Sequence, residues 1–121
     1  MLIKDFYIVE SFTFSKEIAN ATILLNSEHD VYKGHFPGQP VVPGVIQIQI
    51  LRELAEQALK TKLFISELIS AKYLNMIVPD NNTLLVELAF KTTEEGYRIN
   101  GIIKNNETVF SKVKMKLQPK L

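Results

Sequence analysis

The chain has no cysteine and no tryptophan. Without thiols it has no disulfide, no thiolate metal site and no cysteine nucleophile. It has no apolar run of 18 residues, so no membrane span is predicted. Its first residues, Met1-Leu2-Ile3-Lys4-Asp5-Phe6, carry charges where the apolar centre of a signal peptide would lie. An excess of one charge is also missing: 14 Lys and Arg face 13 Asp and Glu, a net of +1. That balance argues against nucleic-acid binding through massed phosphate contacts. No metal-ligand spacing, phosphate loop or serine-triad pattern is present, so neither metal nor cofactor is expected. What remains is 121 residues, 46% hydrophobic and 22% charged. This is the balance of one globular domain spanning 1–121, expected to be soluble and cytoplasmic.

Glycine and proline are scarce, five of each, yet three of each lie between Gly34 and Gly44. That stretch, Gly34-His35-Phe36-Pro37-Gly38-Gln39-Pro40-Val41-Val42-Pro43-Gly44, also holds one of the two histidines. Proline fixes φ and removes a backbone donor, whereas glycine opens dihedrals closed to other residues. Together they write a loop with a dictated path, with an imidazole at one end and a helix start at the other.

The rest of the chain reads as strands around one helix. Lys4 to Thr13 is rich in aromatic and β-branched residues and predicts a strand, followed by a second from Ile18 to Asn26. Ser27-Glu28-His29-Asp30 is a polar turn in which His29 is expected to be an exposed bystander. Val45 to Lys60 predicts a helix: it has no glycine or proline and contains a run of strong helix formers. Its Gln49, Arg52, Glu53, Glu56, Gln57 and Lys60 recur at helical spacing as one polar stripe, which could be a solvated face. Its first two turns are otherwise apolar, so the helix should be buried on most sides. Strands are predicted over Ser66–Val78, Thr83–Thr93, Tyr97–Lys104 and Glu107–Leu117, with Asn105-Asn106 as a two-residue hairpin turn. In the last strand Val113, Met115 and Leu117 should face inward and Lys112, Lys114 and Lys116 outward. The fold class is α+β, long antiparallel strands around one buried helix.

The segment His35-Phe36-Pro37-Gly38-x-Pro40-Val41-x-Pro43-Gly44-Val45-Ile46 resembles the signature of the (3R)-hydroxyacyl-acyl-carrier-protein dehydratases of fatty-acid synthesis. The resemblance implies a hotdog fold, an antiparallel sheet wrapped around one long central helix, over nearly the whole chain. At its start the chain is shorter than many such dehydratases and lacks their amino-terminal helix and aromatic-basic segment.

Removing water from a 3-hydroxyacyl thioester needs a base for the proton on carbon 2 and an acid for the departing hydroxyl. It also needs donors for the charge that builds on the thioester oxygen. Histidine suits the proton transfer near neutral pH, and free N–H groups at a helix start suit the oxyanion. The resemblance assigns the base to His35, the N–H donor to Gly44 and an orienting carbonyl to Val41. Phe36, Gly38 and Val45 fall beside them in the substrate-binding segment. The family's acid, a Glu or Asp five residues after the glycine, is replaced by Gln49, which cannot donate a proton near neutral pH. One turn later, where the family commonly has glutamine, stands Glu53. Residues four apart share a helix face at about 5–6 Å, so the carboxylate has moved along the face.

Two readings follow from that exchange. Glu53 acts through a water or a shifted substrate, or the acid is lost and the protein binds acyl thioesters with weak turnover. The missing acid is worth about 10²–10⁴ in rate. A hotdog acyl-thioesterase and an acyl-binding subunit of a heteromeric dehydratase are the alternatives. The resemblance further implies an acyl thioester on acyl carrier protein or coenzyme A as substrate. It also implies a homodimer or an oligomer of dimers, with the histidine of one subunit facing the acid of the other. A heterodimer with a paralogue could then supply the carboxylate that Gln49 replaces. The row Lys112, Lys114 and Lys116 reads first as a solvated strand face and second, with Lys60 and Lys62, as a docking patch for an acidic carrier.

Overall fold

The computed structural model describes residues 5–34, 40–80 and 82–121. Its elements in chain order are β1 (Tyr7–Ser15), β2 (Ile18–Leu25), α1 (Val31–Gly34), α2 (Gly44–Leu59), β3 (Leu63–Tyr73), β4 (Thr83–Thr92), β5 (Tyr97–Lys104) and β6 (Val109–Pro119). The six strands form one sheet in the order β1-β2-β4-β5-β6-β3, every neighbour antiparallel. The edges are therefore β1, which opens the sheet, and β3, which directly follows the long helix.

Period-two patterning decides which face of the sheet meets that helix. In β4 the side chains of Leu84, Val86, Leu88 and Phe90 are buried, and in β6 those of Val113, Met115 and Leu117. Lys112, Lys114 and Lys116 point to solvent between them, as their alternation predicts. The inward row packs with Ile50, Leu51, Leu54 and Ala55 of α2 in one core. Each such aliphatic side chain, fully buried, contributes about 1.5–3 kcal/mol. Gly101 of β5 lets the helix come close: a Cβ there would lie 3.0 Å from both methyl carbons of Leu51.

The helix ends on Lys60, whose φ of 55° and ψ of 41° turn the chain left-handed. Beyond it, Arg52 and Glu56 fasten the helix to β3. Arg52 Nη1 lies 3.0 Å from Glu56 Oε1, both side chains being largely buried. Glu56 Oε2 accepts the Leu63 N–H at 2.7 Å.

Several boundaries differ from the sequence reading. The third strand runs from Leu63 to Tyr73 and stops well before Val78. Past Tyr73 the N–H groups of Leu74 and Asn75 both turn to the Phe110 carbonyl, and the Ile77 carbonyl accepts the Val42 N–H at 2.9 Å. In the segment 74–78 only Ile77 is buried, beside the approach to α2, while Leu74, Met76 and Val78 are exposed, so its apolar residues mimic a strand without pairing as one. The β5–β6 connection takes four residues: Asn105 Oδ1 accepts from both Glu107 N and Thr108 N, and Asn105 N donates to Thr108 O. The first strand starts at Tyr7 and runs on to Ser15, with a register shift between Val9 and Ser11. His29 is no bystander. Its Nδ1 accepts the Val31 N–H at 3.0 Å at the start of α1, a short helix the sequence did not announce, and its ring meets Phe6 edge-on at 5.1 Å.

Candidate active site

Pro43 sets the start of α2. Its φ of −59° and ψ of 148° are extended, and its carbonyl accepts the N–H groups of Ile46 at 3.1 Å and Gln47 at 3.2 Å. The N–H groups of Gly44 and Val45 precede that first intrahelical turn, at the positive end of a 16-residue helix with no acidic residue in its first turn. Gly44 is tightly confined: a Cβ built on it would lie 2.6 Å from the ring of Tyr73. Such a contact demands that something shift, so glycine is what lets β3's last residue lie against the helix start. Val45 is 72% exposed, so the apolar first turns of α2 leave one side uncovered. Val41 is half-buried just upstream. His35, Phe36 and Gly38 lie outside the described residues.

One and a half turns further, about 7.5 Å along the axis, Gln49 and Glu53 are joined. Gln49 Nε2 donates to Glu53 Oε2 at 2.8 Å. The other carboxylate oxygen, Oε1, accepts the Tyr7 hydroxyl at 2.9 Å. Glu53 is only 6% exposed, and Arg52 next to it is equally buried. The solvated-stripe reading is therefore corrected for both. The stripe is buried at Arg52 and Glu53, partly covered at Gln49 and Glu56, and exposed at Gln57 and Lys60. A buried carboxylate is tolerated because donors solvate it, and charge-assisted bonds of this kind are the stronger class. Tyr7 responds in turn. Its hydroxyl is held far above the ordinary tyrosine value of 10.0, first by burial, then by the negative charge of Glu53 and the hydrogen bond to it, with Arg52 opposing. Nothing in the pattern of β1 marked Tyr7 as anything but a strand residue.

Gln47 is the other residue the sequence reading missed. It is 3% exposed, and its Nε2 donates to the Val42 carbonyl at 3.2 Å. Val42 is thus held at both backbone groups, its N–H by Ile77 and its C=O by Gln47. Among the described residues Gln47 Oε1 has no hydrogen-bond partner, a condition that costs a buried acceptor about 1–3 kcal/mol. Beside it opens an apolar cleft of about 430 Å³ lined by Val41, Pro43, Gly44, Gln47, Tyr73 and Met76 among others. Among the described residues no cluster of His, Asp or Glu gathers to hold a metal ion. Among the described residues no helix is long and apolar enough to cross a membrane.

A six-stranded antiparallel sheet wrapped on one long helix, with a cleft at that helix's N-terminus, is the hotdog fold found in dehydratases and thioesterases. Within that class the chain belongs to the ApeI-like family of dehydratases, which it matches over residues 11–114. It is similar to a chain of the dehydratase heterocomplex ApeI:P from Xenorhabdus doucetiae. The two are 25% identical with a TM-score of 0.79, over 92% of this chain and 96% of that one. A 47-residue stretch is 38% identical to the 3-hydroxyacyl-[acyl-carrier-protein] dehydratase FabZ of Novosphingobium aromaticivorans. That match takes in 39% of this chain and 29% of the relative, less than a third of its length. A thioesterase from Haemophilus influenzae shares the fold, with a TM-score of 0.61 at 10% identity over 93% of this chain and 78% of that one.

Proposed function

We propose that the chain recognises 3-hydroxyacyl thioesters, on acyl carrier protein or coenzyme A, and takes part in eliminating water from them to give the trans-2-enoyl thioester. The observation that carries this reading is the seam Tyr7–Glu53–Gln49, lying on the helix whose first N–H groups belong to Gly44 and Val45. Polar groups able to hydrogen-bond a departing hydroxyl are what such a reaction needs, and the seam supports the reading in that way. Family membership supplies the reaction class.

In this reading the His35 imidazole, oriented by the Val41 carbonyl, takes the proton from carbon 2. The Gly44 N–H, with Val45 beside it, holds the thioester oxygen as negative charge moves onto it. Phe36 and Gly38 shape the loop around the chain. Gln49 hydrogen-bonds the 3-hydroxyl. As the C3–O bond breaks, that oxygen needs a proton to leave as water, and an amide has none to give. Glu53 is poorly placed to give one, because its oxygens accept from Gln49 and Tyr7.

In a homodimer the imidazolium must therefore return the proton it took, and turnover is slow. In a heterodimer with a family member that carries a carboxyl at the position of Gln49, that carboxyl faces His35 and supplies the proton. The ApeI:P heterocomplex, as a similar structure, supports this second assembly.

The test is to incubate the purified chain, alone and mixed with such a family member, with a 3-hydroxyacyl thioester and follow mass. Slow loss of water alone and fast loss in the mixture is the expected result. Release of free acid would replace the reading with a thioesterase. No change in either sample would leave an acyl-binding subunit.

A further inference from the structure

Pro43 has no N–H, and those of Ile46 and Gln47 are spent on the Pro43 carbonyl. The backbone donors ahead of that turn are Gly44 and Val45. A side-chain donor lies against the first of them. A Cβ built on Gly44 would fall 2.6 Å from Cζ of Tyr73 and 2.7 Å from its hydroxyl oxygen, so the polar end of the ring rests on the glycine. Cβ and N of one residue lie about 2.5 Å apart, which places Tyr73 Oη within about 5 Å of the Gly44 nitrogen. An oxygen that accepts from two donors at about 2.9 Å each holds them about 5 Å apart. Both residues line the apolar cleft, and Tyr73 is 48% exposed, so a ligand in the cleft lies against both. The backbone behind the ring is fixed. Tyr73 pairs with Ser111 at the end of β3, and the next two N–H groups both turn to the Phe110 carbonyl. Burial pushes the Tyr73 hydroxyl above the ordinary tyrosine value of 10.0, so it remains a donor at neutral pH.

Resting on the proposed thioester recognition, we propose that the Tyr73 hydroxyl is a second donor to the thioester oxygen, paired with the Gly44 N–H, and so a catalytic residue of the elimination. As the proton on carbon 2 leaves, its electron pair moves toward that oxygen, and a donor already in place there costs no reorganisation. Tyr73 keeps its own proton throughout. In a cleft with apolar walls the bond is electrostatically stronger than it would be in water.

The experiment watches the carbonyl itself. The butyryl thioester of N-acetylcysteamine, isotopically labelled at the carbonyl carbon, has no hydroxyl to lose and can be followed by infrared spectroscopy while bound to the intact protein. A carbonyl held by two donors absorbs at lower wavenumber than one held by a single donor. Tyr73→Phe keeps the ring on Gly44 and removes only the O–H, so the bound stretch should rise toward its value in hexane. A stretch that the substitution leaves unchanged overturns the assignment. So does a bound stretch in the unaltered protein equal to that in hexane, a result that decides even if the variant fails to fold. In turnover of the 3-hydroxybutyryl thioester, by whichever assembly dehydrates it faster, Tyr73→Phe should lower kcat by about 10²–10³ and leave KM nearly unchanged. A change in KM alone would make Tyr73 only a wall of the cleft and overturn the proposal. Failure of the unaltered protein to bind the thioester would instead remove the thioester reading beneath it.

Discussion

Restoring the carboxyl five residues past Gly44 tests the site most directly, and the geometry says what Gln49→Glu should do. The amide nitrogen that now lies 2.8 Å from Glu53 Oε2 would become a carboxylate oxygen. Two carboxylates with charge centres about 4 Å apart repel by about 4 kcal/mol at an effective dielectric constant of about 20. That energy corresponds to about three pKa units, so one member of the pair keeps its proton up to about pH 7. Tyr7 still donates to Glu53 Oε1, which favours placing the shared proton on the introduced group. The variant thus gains an acid poised at neutral pH, where such a group is worth about 10²–10⁴ in rate. Water loss from a 3-hydroxyacyl thioester, followed by mass across pH 5–9, should rise by that factor and fall off above about pH 7. Adding Glu53→Gln removes the repulsion and should move the fall-off toward the ordinary carboxylate range. The same repulsion lowers stability only above the unfolded pKa of about 4.3, because the folded state then binds the extra proton. Urea unfolding should show this loss growing as pH rises from about 4 to 7. A variant no faster than its parent, with the pair titrating as ordinary carboxylates, would refute both the dyad geometry and Gln49 as the place of the acid.

Tyr7→Phe removes a donor from a buried carboxylate and should lower stability by about 1.5–3 kcal/mol at pH 7, measured by urea unfolding. Its effect on alkaline unfolding has a definite sign. The raised pKa of the Tyr7 hydroxyl means that the folded state keeps a proton the unfolded chain loses above about pH 10, so stability falls by about 1.4 kcal/mol per pH unit there. Tyr32, pushed up to about 12 by burial, adds to the same slope. The Phe variant should lose only the Tyr7 share, and an unchanged slope between pH 10 and 11 would speak against the Glu53 contact. Glu56→Ala removes the ion-pair partner of the largely buried Arg52 and the acceptor of the Leu63 N–H together, at a cost of about 3–5 kcal/mol in thermal melts. Pairing it with Arg52→Met should recover most of that loss.

The strands and the helix were legible because their signals are local. Alternation in Thr83–Thr92 and Val109–Pro119 states which residues face inward, and the helix formers of 51–59 have no competing reading. The segment 34–44 stood out in the sequence because it gathers three prolines and three glycines, which act on their own dihedrals, and residues 35–39 of it lie outside the described residues. Failures came where apolar character served something other than an alternating face. Residues 74–78 looked like strand because four of the five are apolar, yet only Ile77 among them is buried, and in the apolar first turn of α2 Val45 is exposed.

The sequence by itself determined the α+β class, the order of the six strands and the long helix, the glycine at that helix's start, and the placing of Gln49 and Glu53 one turn apart on it. Spacing along a helix is enough for that, since residues four apart always share a face. It did not determine the surroundings of those groups. Only the tertiary structure buried Glu53, brought Tyr7 to it from a strand 46 residues away, and pinned Val42 between Gln47 and Ile77. Burial and long-range hydrogen bonds are properties of the packed chain, and they are what turn a polar stripe on a helix into a hydrogen-bonded seam beside a cleft.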